Sequence, residues 1–282
     1  MNFSDPFVIK LIDLAIAEDI GDGDHSSLGS IDKGVQGKAR LLVKDEGVIC
    51  GIGLAKHIMQ RIDSNVKFTE LIKEGSWVKY GDIAFTVEGS VHTILQAERL
   101  MLNFMQRMSG VSTVTKNLVD KIKGTSAKLL DTRKTTPGLR TFEKYAVKVG
   151  GGVNHRFALY DMVMLKDNHN DYAGGITKAV NRTVNYLKSI GKDLKIEVET
   201  RSLDEVKEAL DTGNVDRIMF DNFTPKLMVE GVALVADKCE TEASGGITGE
   251  TIRSYAETGV DFISVGALTH SVKSLDLSLK EF

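Results

Sequence analysis

The sequence predicts an α/β protein in two parts: a small α+β domain, then a parallel-sheet α/β barrel that is closed or partly open. Three observations carry this. Six short apolar segments end in polar or glycine residues at Asp131, Lys166, Glu199, Asp221, Ser244 and Gly266. The last three steps between those ends are 22, 23 and 22 residues. That is about the minimum for a strand, a helix and two loops, and such alternation implies parallel strands joined by helices. The chain before Val91 lacks this rhythm and instead holds strand-like pieces separated by Gly, Asp and Asn turns.

The elements follow in order. Ser4 can cap a first helix, with Pro6 in its first turn and Phe7, Ile9, Leu11, Ile12, Leu14 and Ala15 on its apolar side. That helix is expected to end at the acidic glycine turn EDIGDGDHSS. Strands are expected over Gly37 to Lys44, Val48 to Cys50, Val66 to Ile72 and Ile83 to Glu88, with a short helix near Leu54 to Ile62. A long helix runs from about Val91 to Met108. Its apolar stripe is Ile94, Leu95, Leu100, Met101, Phe104, Met105 and Met108, with Glu98 and Arg99 off it. The methionines read as packing residues. The barrel strands are AKLLD, MVMLK, LKIEVE, DRIMFD, ETEAS and DFISVG. Six are visible, so a regular eight-fold barrel is not expected.

Composition narrows the function classes. With 282 residues, 42% apolar and only three prolines, the chain can bury a substantial core. No apolar run reaches the length of a membrane span, and the start, MNFSDPFVIK, does not read as a signal peptide. Cys50 and Cys239 have no partner at metal-ligand spacing and read as reduced thiols of a cytoplasmic protein. A net charge of −3 gives no reason to expect nucleic acid.

Charge is nonetheless concentrated. Between Asp131 and Lys166, Arg133, Lys134, Arg140, Lys144, Lys148, Arg156 and Lys166 stand against Asp131, Glu143 and Asp161. Cations gathered within an acidic chain point to a small, highly anionic substrate. Thr132 and Arg133, Lys166, Glu199, Asp221, Ser244-Gly245-Gly246 and Gly266-Ala267 all stand at strand exits, the catalytic end of an α/β barrel. The late glycine-rich exits suit a phosphate. Glu199 and Asp221 can hold Mg²⁺ bound partly through substrate phosphates, or can serve as helix caps. Glu197 shares a strand face with Glu199, which leaves open which of the two meets substrate. His155 alone reads as structural, although its neighbour Arg156 favours anion binding. Lys144 and Lys148 read as helix-surface charges, and Arg140 has no assignment.

The segments DTRKTTPGLR, KYAVKVGGGVNHRFALYDMVMLKDNH, VET, DNF, EASGGIT and ISVGALTHS closely resemble the quinolinate phosphoribosyltransferase family, the carboxylating nicotinate-nucleotide pyrophosphorylases. AEDIGDGDHSS and AERLMLNFMQRMSGVST extend the match upstream, so that it covers nearly the whole chain. His25-Ser26-Ser27 departs from the pattern, in which an apolar residue followed by Thr is common.

The resemblance implies an N-terminal α/β sandwich over residues 1–108, an open (partial) α/β barrel over 109–268, and a tail, about 269–282, that returns to the sandwich. It implies phosphoribosyl transfer from PRPP to quinolinate with Mg²⁺ and decarboxylation, on the de novo route to NAD, with no prosthetic group. Arg133, His155, Arg156 and Lys166 would hold the two quinolinate carboxylates, with Thr132 beside them and Lys134 between the two substrates. Glu199 and Asp221 would serve Mg²⁺ and the ribose hydroxyls. Ser244, Gly245, Gly246, Gly266, Ala267 and His270 would surround the PRPP phosphate. Arg99 would enter the site from the partner subunit of a homodimer, alone or within a hexamer. Two other readings are a paralogue with a different acceptor and a non-catalytic anion-binding barrel. The cationic set Arg133, His155, Arg156 and Lys166 argues against the first, and carboxylates at the strand exits argue against the second.

Overall fold

The computed structural model describes every residue from Met1 to Phe282. In chain order the elements are α1 (Pro6–Ile20), α2 (His25–Ser30), β1 (Gln36–Val43), β2 (Gly47–Val48), α3 (Ile52–Ile62), β3 (Lys67–Glu70), β4 (Trp77–Val78), β5 (Ile83–Ser90) and α4 (Val91–Lys121). They continue with β6 (Lys128–Leu130), α5 (Arg140–Val149), β7 (Val163–Leu165), α6 (Asp167–Ala173), α7 (Ile176–Ser189), β8 (Ile196–Thr200) and α8 (Leu203–Asp211). The last are β9 (Arg217–Asp221), α9 (Pro225–Val235), β10 (Glu240–Ser244), α10 (Ile252–Ala256), β11 (Phe262–Ser264), α11 (Ala267–His270) and β12 (Leu277–Glu281). No helix is long and apolar enough to cross a membrane.

The chain divides into two compact units. The first comprises Met1–Lys116, Thr135–Gly151 and Leu268–Phe282. Its centre is an antiparallel sheet of order β12-β1-β5-β3, beside the small pair β2-β4. Alternation in β1 buries Ala39, Leu41 and Val43 on one face, and these pack with Phe85, Val87, Met59, Met101, Met105 and Leu277. Full burial of each such side chain contributes about 1.5–3 kcal/mol. The expected stripe of α4 is buried except at Leu95, which stays 41% exposed.

Three local expectations are corrected in this unit. Asp5, not Ser4, caps α1: its carboxylate accepts the Phe7 N–H at 2.8 Å. The acidic turn ends in a short helix, α2, because Asp24 accepts the N–H groups of Ser26 and Ser27. Finally, α4 does not stop near Met108 but runs through Ser109-Gly110 to Lys121. Gly110 would cost a helix about 1 kcal/mol relative to Ala. Here a side chain at that position would strike the Lys273 carbonyl, so the glycine lets the C-terminal segment lie on the helix. The Leu275 N–H then bonds the Gln106 carbonyl at 3.0 Å, and Gln106 Nε2 donates to the Leu277 carbonyl at 3.0 Å.

The second unit, Asn117–Lys134 with Gly152–Ala267, is the parallel part. All six expected strands form one sheet, in the order β6-β11-β10-β9-β8-β7. Its edges β6 and β7 do not pair, so the barrel is open. Register fixes the two faces, because partners in adjacent parallel strands point the same way. Glu197 pairs with Arg217 and Glu199 with Met219; Arg217 pairs with Glu240, Met219 with Glu242, and Asp221 with Ser244. One face therefore carries Glu197, Glu199, Arg217, Asp221, Glu240, Glu242 and Ser244. The opposite face carries Ile196, Val198, Ile218, Phe220 and Ala243, all buried, and Phe220 closes on Gly231 of α9. Hydrophobic packing thus uses one side of the sheet and leaves the other for charge.

Candidate active site

The expected site residues of this second unit gather on the charged face and at the carboxyl ends of its strands. The chain leaves β6 through Asp131, Thr132 and Arg133. Asp131 is fully buried; its Oδ1 accepts the His155 N–H at 2.9 Å and its Oδ2 accepts from Asn154 Nδ2. That clamp draws the segment of Arg156 beside the exit of β6, where Val153 forms a parallel bridge with Leu130. The Arg156 guanidinium is pushed below its usual range by burial and by the positive charge of Arg133. Two guanidiniums from separate segments are therefore held close. Thr132 Oγ1 accepts the Lys134 N–H at 3.0 Å, which turns the chain just after Arg133.

Further along the carboxyl ends of the same sheet stand the carboxylates. Glu199 is pushed up by burial and then by the charge of Asp221, while Lys166 pulls the other way. Those three residues, from β8, β9 and the exit of β7, are thus electrostatic neighbours. The Lys166 N–H bonds His169 Nδ1 at 3.0 Å, which fixes the turn into α6. Next to Asp221, β10 ends in Ser244, followed by Gly245 and Gly246 with φ of +97° and +58°. This backbone needs glycine. Gly266 lies two residues beyond β11, and Ala267 begins α11.

His155 is 8% exposed, and both of its ring nitrogens face protein atoms. Nδ1 accepts the Arg156 N–H at 2.7 Å. Nε2 lies 2.9 Å from Glu197 Oε2 and 3.2 Å from Glu242 Oε2. Arg217 completes the group, with Nη1 3.1 Å from Glu242 Oε2 and Nη2 2.9 Å from Glu240 Oε2. Its guanidinium carbon also lies 4.1 Å from the centre of the Phe262 ring. Burial alone would lower His155, but the bonds to Glu197 and Glu242 outweigh it and raise the ring to about 9. Burial and the charge of Glu242 push Glu197 up to about 7. Nδ1 can accept the Arg156 N–H only in the neutral ring, whose proton then lies on Nε2 toward the glutamates; the charged ring gives up that acceptance.

Sequence reasoning missed Glu242, Arg217 and the clamp by Asp131. The signal was there: in ETEAS the polar residues Glu240, Glu242 and Ser244 recur every second position, and in DRIMFD Arg217 shares the strand face of Asp221. Glu197 and Glu199 differ in depth. Glu197 is fully buried against His155, and Glu199 is the half-exposed one near the strand exit.

Two expected residues belong to the first unit. Arg99 is exposed on α4, and His270 ends α11 with Nδ1 2.7 Å from Ser271 Oγ. Lys148 is exposed as expected, but Lys144, read as a surface charge, is 3% exposed. A cleft of about 420 Å³ lies at the opposite, amino ends of the strands and includes Asp216 and Asp261. Those carboxylates accept the N–H groups of Ile196 and Thr241, so they serve strand starts.

Comparison with known proteins agrees over the whole chain. Residues 24–109 match the N-terminal domain of quinolinate phosphoribosyl transferase, and residues 111–280 match its C-terminal domain. The chloroplastic nicotinate-nucleotide pyrophosphorylase [carboxylating] of Arabidopsis thaliana is 45% identical, over 96% of this chain and 81% of that protein. A probable carboxylating nicotinate-nucleotide pyrophosphorylase of Bacillus subtilis is 41% identical, over 96% of this chain and 92% of its own length. The crystal structure of NadC from Streptococcus pyogenes superposes with a TM-score of 0.92 at 38% identity, covering 98% of this chain and 97% of that one. The chain belongs to the quinolinate phosphoribosyltransferase family.

Proposed function

We propose that the protein transfers the phosphoribosyl group of PRPP to the ring nitrogen of quinolinate, with loss of CO₂ from C2, giving nicotinate mononucleotide and pyrophosphate. The observation that carries this reading is the separation of charge on one sheet: Arg133 beside Arg156, and Glu199 beside Asp221. Two guanidiniums that repel each other are relieved by a dianion, and their planar forks suit a planar dicarboxylate. Lys166, whose charge acts on Glu199, is assigned with the arginines to the quinolinate carboxylates, and Lys134 follows Arg133 directly. His155 supports the acceptor half by holding the backbone of Arg156.

Glu199 and Asp221 suit a divalent cation. The charge of Asp221 raises the cost of charging Glu199, and a bound cation would offset that cost. Bound Mg²⁺ would supply charge neutralisation for the departing pyrophosphate. The carboxylates also stabilise positive charge developing at C1′ as the C–O bond breaks and the C–N bond forms. The glycine backbone after Ser244, with Gly266, Ala267 and His270, is assigned to the 5′-phosphate. Once ribosylated, the ring nitrogen is cationic, and its charge stabilises the electron pair that departing CO₂ leaves on C2, which then takes up a proton. Arg99, exposed on α4, is assigned to the site of a second copy.

The test is turnover of the purified protein with PRPP, quinolinate and Mg²⁺, followed as CO₂ release and nicotinate mononucleotide formation. Turnover of nicotinate or another base with quinolinate inert would overturn the assignment.

A further inference from the structure

Asn222 has no role in the account above, yet its backbone is strained. Its φ is +56°, one of three positive values among non-glycine residues. Asparagine tolerates this region better than most residues, but glycine would occupy it with less strain. The side chain therefore needs a reason. Three contacts supply one. The Asn222 N–H donates to the Ser244 carbonyl at 2.9 Å, tying the exit of β9 to the exit of β10. Its Nδ2 donates to Asp221 Oδ2 at 2.7 Å. Its amide also fills the space where a Gly245 side chain would stand, with Cγ 2.6 Å from that Cβ position.

We infer that Asn222 is a positioning residue for the phosphoribosyl-donor half of the site, an inference that rests on the function proposed above. One amide fixes two things a magnesium-bound sugar phosphate must meet together. It directs the Asp221 carboxylate by holding Oδ2. It also sets the Gly245 backbone, whose N–H groups face a phosphate only while the loop keeps its left-handed turn. The acceptor half is served by Arg133 and Arg156, which Asn222 does not touch. Loss of the amide should therefore weaken the donor and spare the acceptor.

The decisive variant is Asn222→Gly, which keeps the backbone conformation and removes only the side chain. Its thermal midpoint should equal or exceed that of the parent. Calorimetric binding of PRPP with Mg²⁺, and KM for PRPP, should weaken about tenfold, as expected for losing a hydrogen bond to a charged group. Quinolinate binding and its KM should stay within twofold. Asn222→Asp keeps the shape but cannot donate to Asp221, and should reproduce the donor defect. The inference is overturned if Asn222→Gly binds PRPP with Mg²⁺ as the parent does, or if both substrates weaken equally. If the parent protein binds PRPP with Mg²⁺ but does not turn over quinolinate, the reaction assignment fails while the binding comparison still judges Asn222. A parent that binds no PRPP overturns both.

Discussion

His155 Nε2 sits 2.9 Å from Glu197 Oε2, with both side chains almost completely withdrawn from water. Glu242 shares the ring nitrogen, so removing the imidazole leaves two buried carboxylates with the charges of Arg217 and Arg156 to balance them. His155→Ala is expected to destabilise the protein by about 3–5 kcal/mol, the range for breaking a buried ion pair from one side. Urea unfolding measures it. A variant as stable as the parent, with only a raised KM for quinolinate, would instead make His155 a direct ligand.

The same cluster makes stability depend on pH. His155 is raised from an ordinary 6.5 to about 9. A group whose folded value exceeds its unfolded one contributes fully below the unfolded value and loses that contribution as pH rises through the folded one. Stability should therefore decline between about pH 6.5 and 9. Thermal midpoints across that window should fall, and His155→Gln should flatten the decline. A rising midpoint in the parent would contradict the cluster's retained proton.

Arg133 and Arg156 should trade stability for binding. The charge of Arg133 lowers Arg156 in the free protein, so Arg133→Ala relieves that repulsion and is expected to change the thermal midpoint little. The same substitution should lower kcat/KM for quinolinate by roughly 2–5 kcal/mol in transition-state terms, chiefly through KM. Steady-state kinetics with calorimetric unfolding separate these effects, and unchanged kinetics would remove Arg133 from the site.

Gly245→Ala tests the phosphate loop. Its φ is +97°, and the new Cβ would stand 2.8 Å from the Asn222 backbone nitrogen. Left-handed backbone alone costs a non-glycine residue about 1–2 kcal/mol. Weakened PRPP binding and a lower thermal midpoint are expected together. Gly191→Ala, at φ +63° with open space around it, carries strain without the contact and should leave PRPP binding intact.

Arg99 predicts shared sites. Mixing an Arg99→Ala protein with an Arg133→Ala protein under subunit exchange should restore part of the activity, because one pairing then holds both arginines intact. No recovery in exchanged mixtures would confine Arg99 to its own chain or to no site at all.

The parallel sheet was legible because its strands are short apolar runs ended by polar residues, a pattern that burial on one side and chemistry at one end both enforce. Glu199 and Asp221 stood out as strand-end carboxylates for the same reason. What stayed hidden depends on distant partners. Glu143 counted only as one of three acids set against the cations, yet it is fully buried and accepts from Arg107 at 2.8 Å and from the Thr136 N–H at 3.1 Å. Nothing near Glu143 in sequence announces Arg107. The continuation of α4 through Gly110 was invisible likewise, since the carbonyl that explains the glycine comes from Lys273. The C-terminal strand was implied by resemblance alone.

That strand has a consequence for the order of events during synthesis. β1 bonds β12 along its length, Leu41 opposite Leu279 and Val43 opposite Leu277. A ribosome releases residues from the amino end first, and domains generally fold as they emerge. Here the earliest strand must wait, with one hydrogen-bonding edge bare, until the last residues arrive. Nascent chains stalled before Leu277 should therefore keep the first sheet in a sticky, chaperone-dependent state, while the parallel sheet, complete by Ser264, is free to fold ahead of it.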